Sequence, residues 1–242
     1  MGKLSKCFNI SIAGLIIEID TVSLSPSLFC YDFICEGTPD FSISVTDKDV
    51  EYEKEIDKKN NYKVNIGTYE SYAIYRKIVD KVIPRDIFLI HGATIAVDNH
   101  AILFSAPSKT GKTTHIKKWL QNINGAYVVN GDKPLIKMTD SQAIACGTPW
   151  AGSEQYYTNT QVPLTAIVFM ERNEKNEIKE ILFQEAYPYL LQQTYLPGDA
   201  KKARMVLSML NQLNEHVRFY KFRFNNFAED CFEVSYNALI RG

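Results

Sequence analysis

The hydrophobic pattern along this chain changes character near residue 69. From residue 8 to about 66 the apolar positions alternate or come in short runs, as in FNISIAGLIIEID, YDFIC and FSISVTD, with the turn signal GTPD at residues 37–40. Alternation of that kind predicts short strands. The charged stretch EYEKEIDKKNNYKVN that follows reads as a hairpin or an edge strand. From residue 69, Tyr72, Tyr75, Ile78, Val79 and Val82 fall at helical spacing, and Pro84 ends that helix.

Strands and helices then alternate. IFLIHGATIAV and HAILFSA read as apolar strands joined by a tight turn at Asp98-Asn99. Ile116, Trp119, Leu120 and Ile123 predict a helix, AYVVNGD a buried strand, KPLIKMT and SQAIACGTP a second hairpin, and LTAIVFMER a further strand. FQEAYPYLLQQTY, with Pro188 inside it, and AKKARMVLSMLNQLNEH read as helices, RFYKFRF as a strand and FAEDCFEVSYNALIR as a terminal helix. The pattern predicts a β-rich N-terminal portion, residues 1–66, and an α/β domain, residues 67–242.

Composition adds mostly exclusions. In 242 residues, 45% are apolar and 23% charged, ordinary for a protein with a full core. The formal net charge of -1 offers no basic field for nucleic acid. No apolar run reaches membrane-spanning length, no signal core follows the start, and Lys6 breaks the myristoylation pattern, so no membrane attachment is expected. The five cysteines form no C-x-x-C pair and suit reduced thiols in a cytoplasmic protein better than a zinc site.

The chemistry concentrates in FSAPSKTGKTTHIKKWL, residues 104–120. A phosphate-binding loop requires Gly-x-x-x-x-Gly-Lys-Ser/Thr, and the window 106–113 meets it except at Ala106, which replaces the first glycine. The strand delivers the loop, and the helix that starts at once turns its N-terminal N–H groups toward an anion. Ser108, Lys109, Thr110, Gly111, Lys112, Thr113 and Thr114 are the candidate nucleotide contacts. Lys112 is placed to reach the β/γ-phosphates and Thr113 to put a hydroxyl on Mg²⁺. Ala106 is tolerable at negative φ and costly at positive φ. Lys109 either lends charge to the phosphates or points to solvent.

Asp132 ends the strand AYVVNGD, 20 residues beyond Lys112. There it could hold Mg²⁺ or accept a proton from an attacking hydroxyl, or it could cap the Asn130-Gly131-Asp132 turn. Strand alternation would send Lys133 to the opposite face.

IHGATIAVDNHAILFSAPSKTGKTTH followed by VVNGDKPLI resembles the HPr kinase/phosphorylase family and the related core of the ATP-dependent phosphoenolpyruvate carboxykinases. It is most similar to small HPr-kinase-like bacterial proteins, some of which phosphorylate ribosomally made peptides. The likeness covers residues 69–182 and rests on His91-Gly92, the loop and Gly131-Asp132 together. It implies a P-loop kinase core that uses ATP and Mg²⁺, with Asp132 as the catalytic carboxylate, Lys112 stabilising the transferring phosphoryl group, Thr113 and Asp132 as metal contacts, and His91 beside the carboxylate. HPr kinases are often oligomers, so the resemblance makes a homo-oligomer an open expectation.

The chain departs from that family in three ways. Lys133 stands where HPr kinases carry a second carboxylate, the segment that recognises HPr is not discernible, and the chain is far too short for a carboxykinase. In GTPWAGSE, residues 147–154, small relatives often carry lysine where Ser153 stands, and Trp150 could stack on substrate or pack in the loop. Arg172 could clamp a phosphate. Glu70 and Arg76 could pair with each other or line the pocket. The reading is a kinase acting on a hydroxyl, a serine of a peptide or protein first. The rivals are a small-molecule hydroxyl kinase and a nucleotide-binding regulator without chemistry.

Overall fold

The computed structural model describes residues 6–60, 66–107 and 110–241. The chain is a mixed α/β protein that divides into two compact units, Met1–Arg85 and Asp86–Gly242. The helix ahead of the His-Gly strand belongs to the first unit.

In the first unit, β1 (Cys7–Ile12) and β2 (Leu15–Asp20) form a hairpin, turned by Ala13 and Gly14, both at positive φ. A short helix α1 (Ser25–Phe29) and a 3-10 turn (Tyr31–Phe33) follow, so YDFIC is not the expected strand. β3 (Phe41–Ser44) adds parallel to β2. The charged stretch is also misread as strand: residues Asp47–Asn60 form helix α2. Its start carries the signal, since the Thr46 N–H and hydroxyl both donate to Asp49 Oδ2, at 2.9 and 2.7 Å. Within the helix Lys54 reaches Glu51 at 3.0 Å.

Helix α3 (Ile66–Val82) forms as its period requires, and a 3-10 turn containing Pro84 closes it. Glu70 and Arg76 do not pair with each other. Glu70 is buried and accepts from the Val22 and Ser23 N–H groups and the Ser23 hydroxyl, at 2.6, 3.1 and 2.5 Å, while Arg76 Nε donates to Glu53 at 2.6 Å. Both serve the first unit.

The second unit is one nine-stranded sheet with helices on both faces. The stretch read as one strand, IFLIHGATIAV, breaks at Ile90-His91-Gly92 into β4 (Ile87–Leu89) and β5 (Ala93–Val97). Asp98 and Asn99, at φ of 48° and 61°, turn β5 into β6 (His100–Ser105), the two-residue hairpin the sequence implies. Next come helix α4 (Lys112–Asn122), strands β7 (Tyr127–Asn130), β8 (Leu135–Met138), β9 (Ala143–Cys146), β10 (Gln161–Arg172) and β11 (Glu177–Ile181), helices α5 (Phe183–Gln193) and α6 (Ala200–His216), strand β12 (Arg218–Phe224), and helix α7 (Cys231–Tyr236). β11 was not expected. It is short and charged on its outer positions, and it forms by pairing antiparallel with β12.

β10 organises the sheet. Its first residues pair with β9, its middle runs parallel to β6, and its C-terminal half runs parallel to β12. Alternation along β10 and β12 then sorts the two faces. Ala166, Val168, Met170, Tyr220, Phe222 and Phe224 pack on the face that holds Ile116 and Trp119 of α4. Phe169 and Phe219 turn the other way, onto Tyr189 and Phe183 of α5. The β6–α4 junction therefore opens at the C-terminal edge of three parallel strands, where open α/β sheets place their ligands.

Candidate functional site

The loop after β6 is shaped at both ends. Gly111 caps α4 with φ of 117°, a conformation that L side chains rarely adopt, and a Cβ there would meet Asn226 Nδ2 at 2.5 Å. Asn226 Nδ2 donates to the Gly111 carbonyl at 3.0 Å, and Arg172 Nε donates to the Thr110 carbonyl at 2.8 Å. Thr110 closes a turn onto the Pro107 carbonyl through its hydroxyl at 2.6 Å.

At the other end, Ala106 is 3% exposed and belongs to the core under α4, with Phe104 and Ile116. It is absent from the described residues with positive φ. An alanine is therefore admissible at the first loop position, and its methyl fills core. Ser108 and Lys109 lie outside the described residues, so the two readings of Lys109 stand as they were.

Lys112 opens the helix and is buried, with Nζ donating to the Ala106 carbonyl at 2.7 Å. Burial lowers its pKa below the usual lysine range, and the Asp132 charge opposes that shift. An ammonium held across its own loop, among N–H groups of a helix start, is suited to an incoming polyanion.

Asp132 arrives from β7. Asn130, fully buried, does the work of the turn. Its Oδ1 accepts from the Asp132 and Lys133 N–H groups at 2.8 and 2.6 Å, and its Nδ2 donates to the Thr148 carbonyl at 2.9 Å. The Asp132 carboxylate is thereby left for the cleft rather than spent as a cap.

Oδ1 of Asp132 lies 3.0 Å from His91 Nε2, and Oδ2 lies 3.1 Å from Lys133 Nζ. Lys133 therefore does not turn to the far face as strand alternation suggested, because β7 ends at Asn130 and the turn redirects it. Burial alone would raise the Asp132 pKa, but the His91 hydrogen bond and the Lys133 charge overcome it and hold the carboxyl at about 2. An ionised carboxylate only accepts, so Nε2 of His91 carries the hydrogen and donates it. In that tautomer Nδ1 accepts; it lies 2.9 Å from the Gln193 side-chain amide at the end of α5, whose NH2 is the group that can donate to it, and the His91 N–H donates to the Gln193 carbonyl at 2.7 Å.

His91 and Gly92 occupy the break between β4 and β5, where Gly92 N–H donates to the Asp132 carbonyl at 2.9 Å. A Cβ at Gly92 would come within 2.7 Å of Leu103 and 2.9 Å of the Phe104 carbonyl. The glycine lets the two strand ends approach and sets the histidine beside the acid.

These groups line one cleft of about 350 Å³. It brings together His91, Lys112, Thr113, Asp132 and Arg172, with Thr110, Gly111 and Thr114 at the helix end. The opposite wall is formed by Ala151 to Glu154 and Tyr156. Gly152, at φ of 78°, packs on Asp132, where a Cβ would sit 3.1 Å from the Asp132 Cβ. Trp150 is 3% exposed and does not line the cleft, so it is no stacking platform for substrate there.

Sequence reasoning missed two residues of this neighbourhood and gave two others only as parts of longer stretches. Gln193 and Asn226 touch the site from elements far along the chain and carried no local signal. Asn130 was legible only as part of its turn. Glu154 also lines the cleft and pairs with Lys117 at 3.2 Å.

The cleft's oxygen donors, the Thr113 hydroxyl and the ionised Asp132 carboxylate, suit a hard divalent cation. Among the described residues no three His, Cys, Asp or Glu side chains cluster as a self-sufficient metal site. That donor set fits Mg²⁺, which keeps water and phosphate oxygens in most of its positions.

No protein-family model and no curated protein matches the chain. Among solved structures it is similar to the HPr(Ser) kinase/phosphatase from Coxiella burnetii, with 12% identity, 63% of this chain and 97% of that chain covered, and a TM-score of 0.37. No helix of the described residues is long and apolar enough to cross a membrane.

Proposed function

We propose that this protein is an ATP- and Mg²⁺-dependent kinase that transfers the γ-phosphoryl group to a hydroxyl, that of a serine in a peptide or protein. One observation carries the reading: Lys112, Thr113 and the α4 N-terminus face the same cleft as an ionised Asp132 held by His91. A mere anion site needs the first three and has no use for the fourth.

The chemistry follows from placement. Loop N–H groups and Lys112 take the triphosphate, with Arg172 at the rim. Thr113 and Asp132 would hold Mg²⁺, which offsets the charge of the phosphate oxygens. The acceptor oxygen forms a bond to the γ-phosphorus as the bond to the β-bridging oxygen breaks, and ADP leaves. The hydroxyl proton passes to Asp132. A carboxylate at about 2 is a weak base, but a loose phosphoryl transfer asks it mainly to orient the hydroxyl and take the proton late. His91 donates to Asp132 and so fixes the oxygen that faces the acceptor.

The competing reading, a nucleotide-binding regulator, draws on the Lys133–Asp132 pair, which engages the second carboxylate oxygen. ATP titration and phosphate transfer separate the two. Lys112→Ala is expected to weaken ATP binding by roughly tenfold or more, about 1.4 kcal/mol. The parent protein is expected to phosphorylate a serine acceptor. Equal titration curves for parent and variant would remove the P-loop reading. Tight ATP binding with no phosphorylated hydroxyl would hand the site to the regulator.

A further inference from the structure

Three parallel strands, β6, β10 and β12, end at the edge that carries the cleft. The segments after β6 and at the end of β10 supply the phosphate loop and Arg172. The segment after β12, residues 225–230, takes no part in the chemistry above, yet it is fixed to the same helix. Asn226 Nδ2 donates to the Gly111 carbonyl at 3.0 Å, and Lys118 Nζ donates to the Ala228 carbonyl at 3.2 Å. Behind them, Cys231 Sγ lies 3.6 Å from His115 Nδ1 and 3.7 Å from Asn226 Oδ1.

The segment is braced on its other side as well. The Asn225 N–H donates to Asn176 Oδ1 at 2.7 Å, and Asn176 Nδ2 donates to Asp230 Oδ1 at 2.6 Å. Phe227 sits at its tip, with its N–H donating to Asn225 Oδ1 at 3.0 Å and its side chain 98% exposed. Among the described residues the next most exposed large apolar side chain is Leu182, at 70%. A lone apolar side chain on a surface needs no explanation. A phenyl ring held in solvent by a braced turn beside a phosphate loop has a use.

The helix fixes where that ring stands. Gly111, Thr114 and Lys118 are three and four residues apart, so they share one face of α4. Asn226 and Ala228 hold the two ends of that row, which sets Phe227 alongside Thr114, an exposed residue of the cleft's lining. On the kinase reading, Lys112 and Thr113 serve the β/γ end of the triphosphate with Asp132. Thr114 lies about 100° further round the helix from Thr113. The α-phosphate and the nucleoside therefore leave the cleft past Thr114, on the side where Phe227 stands.

Resting on that reading, we infer that Phe227 is the nucleobase platform of this protein, its ring stacking on the flat base of the nucleoside triphosphate while Asn226 keys the platform to the phosphate loop. Stacking uses the π-face that every base presents, so it holds the base without reading its edge.

The test uses the full chain, Mg²⁺ and two probes, ATP and inorganic tripolyphosphate, which has the phosphates and no base. Phe227→Ala removes only exposed surface, so the variant should melt with the parent. The expected result is a Kd for ATP raised roughly tenfold in Phe227→Ala, the scale of one base–aromatic stack, with tripolyphosphate affinity unchanged and ATP affinity restored in Phe227→Trp. Equal ATP affinity in parent and Phe227→Ala would overturn the assignment. So would an equal loss for both probes, which would make Phe227 a support of the phosphate loop, or a parent that binds tripolyphosphate as tightly as ATP. In each of those cases the phosphate site stands. A parent that binds neither probe would instead remove the kinase reading, and this inference with it.

Discussion

Asp132, Ala106 and His115 show how much a single position can hold. Asp132 was readable as a candidate from its distance to Lys112, but its freedom from capping depended on Asn130 accepting both turn N–H groups. Ala106 reads as a defect against the loop pattern and is in place a core residue at negative φ. Ala106→Gly should therefore leave ATP affinity unchanged and cost about 0.4–1 kcal/mol in denaturant unfolding, since the unfolded chain gains freedom. A large affinity gain would show a strained natural loop.

His115, one turn into α4, is fully buried; Trp119 Nε1 donates to its Nε2 at 3.0 Å, and its Nδ1 lies 3.6 Å from Cys231 Sγ. Burial, with Lys118 adding to it, holds its pKa at about 3. The folded state thus refuses a proton that the unfolded chain takes near pH 6.5, so this residue costs nothing at neutral pH and removes stability as pH falls from about 6.5 toward 3. Asp132, with its lowered pKa, adds a second loss only below about pH 4. Urea unfolding between pH 7.5 and 5 should show a slope that is shallower in His115→Gln. Parallel slopes would mean His115 is solvated in the folded protein.

At the scale of elements, the strand-loop-helix of the site was legible because its signals are local: an apolar run, a Gly-Lys-Thr-Thr and a helical period. Gly111 is the hinge of that unit, with φ of 117° and Asn226 against it. Gly111→Ala should lower stability by about 1–3 kcal/mol and, on the proposed function, weaken ATP binding, because the strained cap would shift the N–H groups proposed to take the phosphates. Thermal melts and titrations that match the parent would refute the cap's role.

The elements misread had weaker local grammar. α2 has many charges and few apolar positions, so its amphipathic period is faint, and the Thr46–Asp49 cap was the better signal. The IFLIHGATIAV run hid a strand break, because a buried strand and its continuation look alike until Gly92 shows two backbones closing on each other. β11 exists only through its partner β12.

At the scale of the whole molecule, the mixed α/β class followed from the alternation of periods. The path of the sheet did not. That β10 runs parallel to both β6 and β12, with β9 taking its first residues, depends on pairings between segments with no shared sequence signal. The same long-range closure brings Gln193 to His91 and Asn226 to Gly111, which is why the core of the site was visible in the sequence and its supports were not.

The central claim is that this cleft does chemistry rather than only holding a nucleotide, and Asp132 separates the two. A carboxylate that orients or deprotonates the acceptor acts in the transition state, whereas Lys112 and the loop, in the proposed role, would hold the phosphates in the ground state. The measurement is single-turnover transfer from labelled ATP to a serine acceptor in the parent and in Asp132→Asn, with ATP binding followed in parallel. The expected result is ATP affinity within a few fold of the parent and transfer slower by roughly 10² or more. Transfer at the parent rate in Asp132→Asn would contradict it.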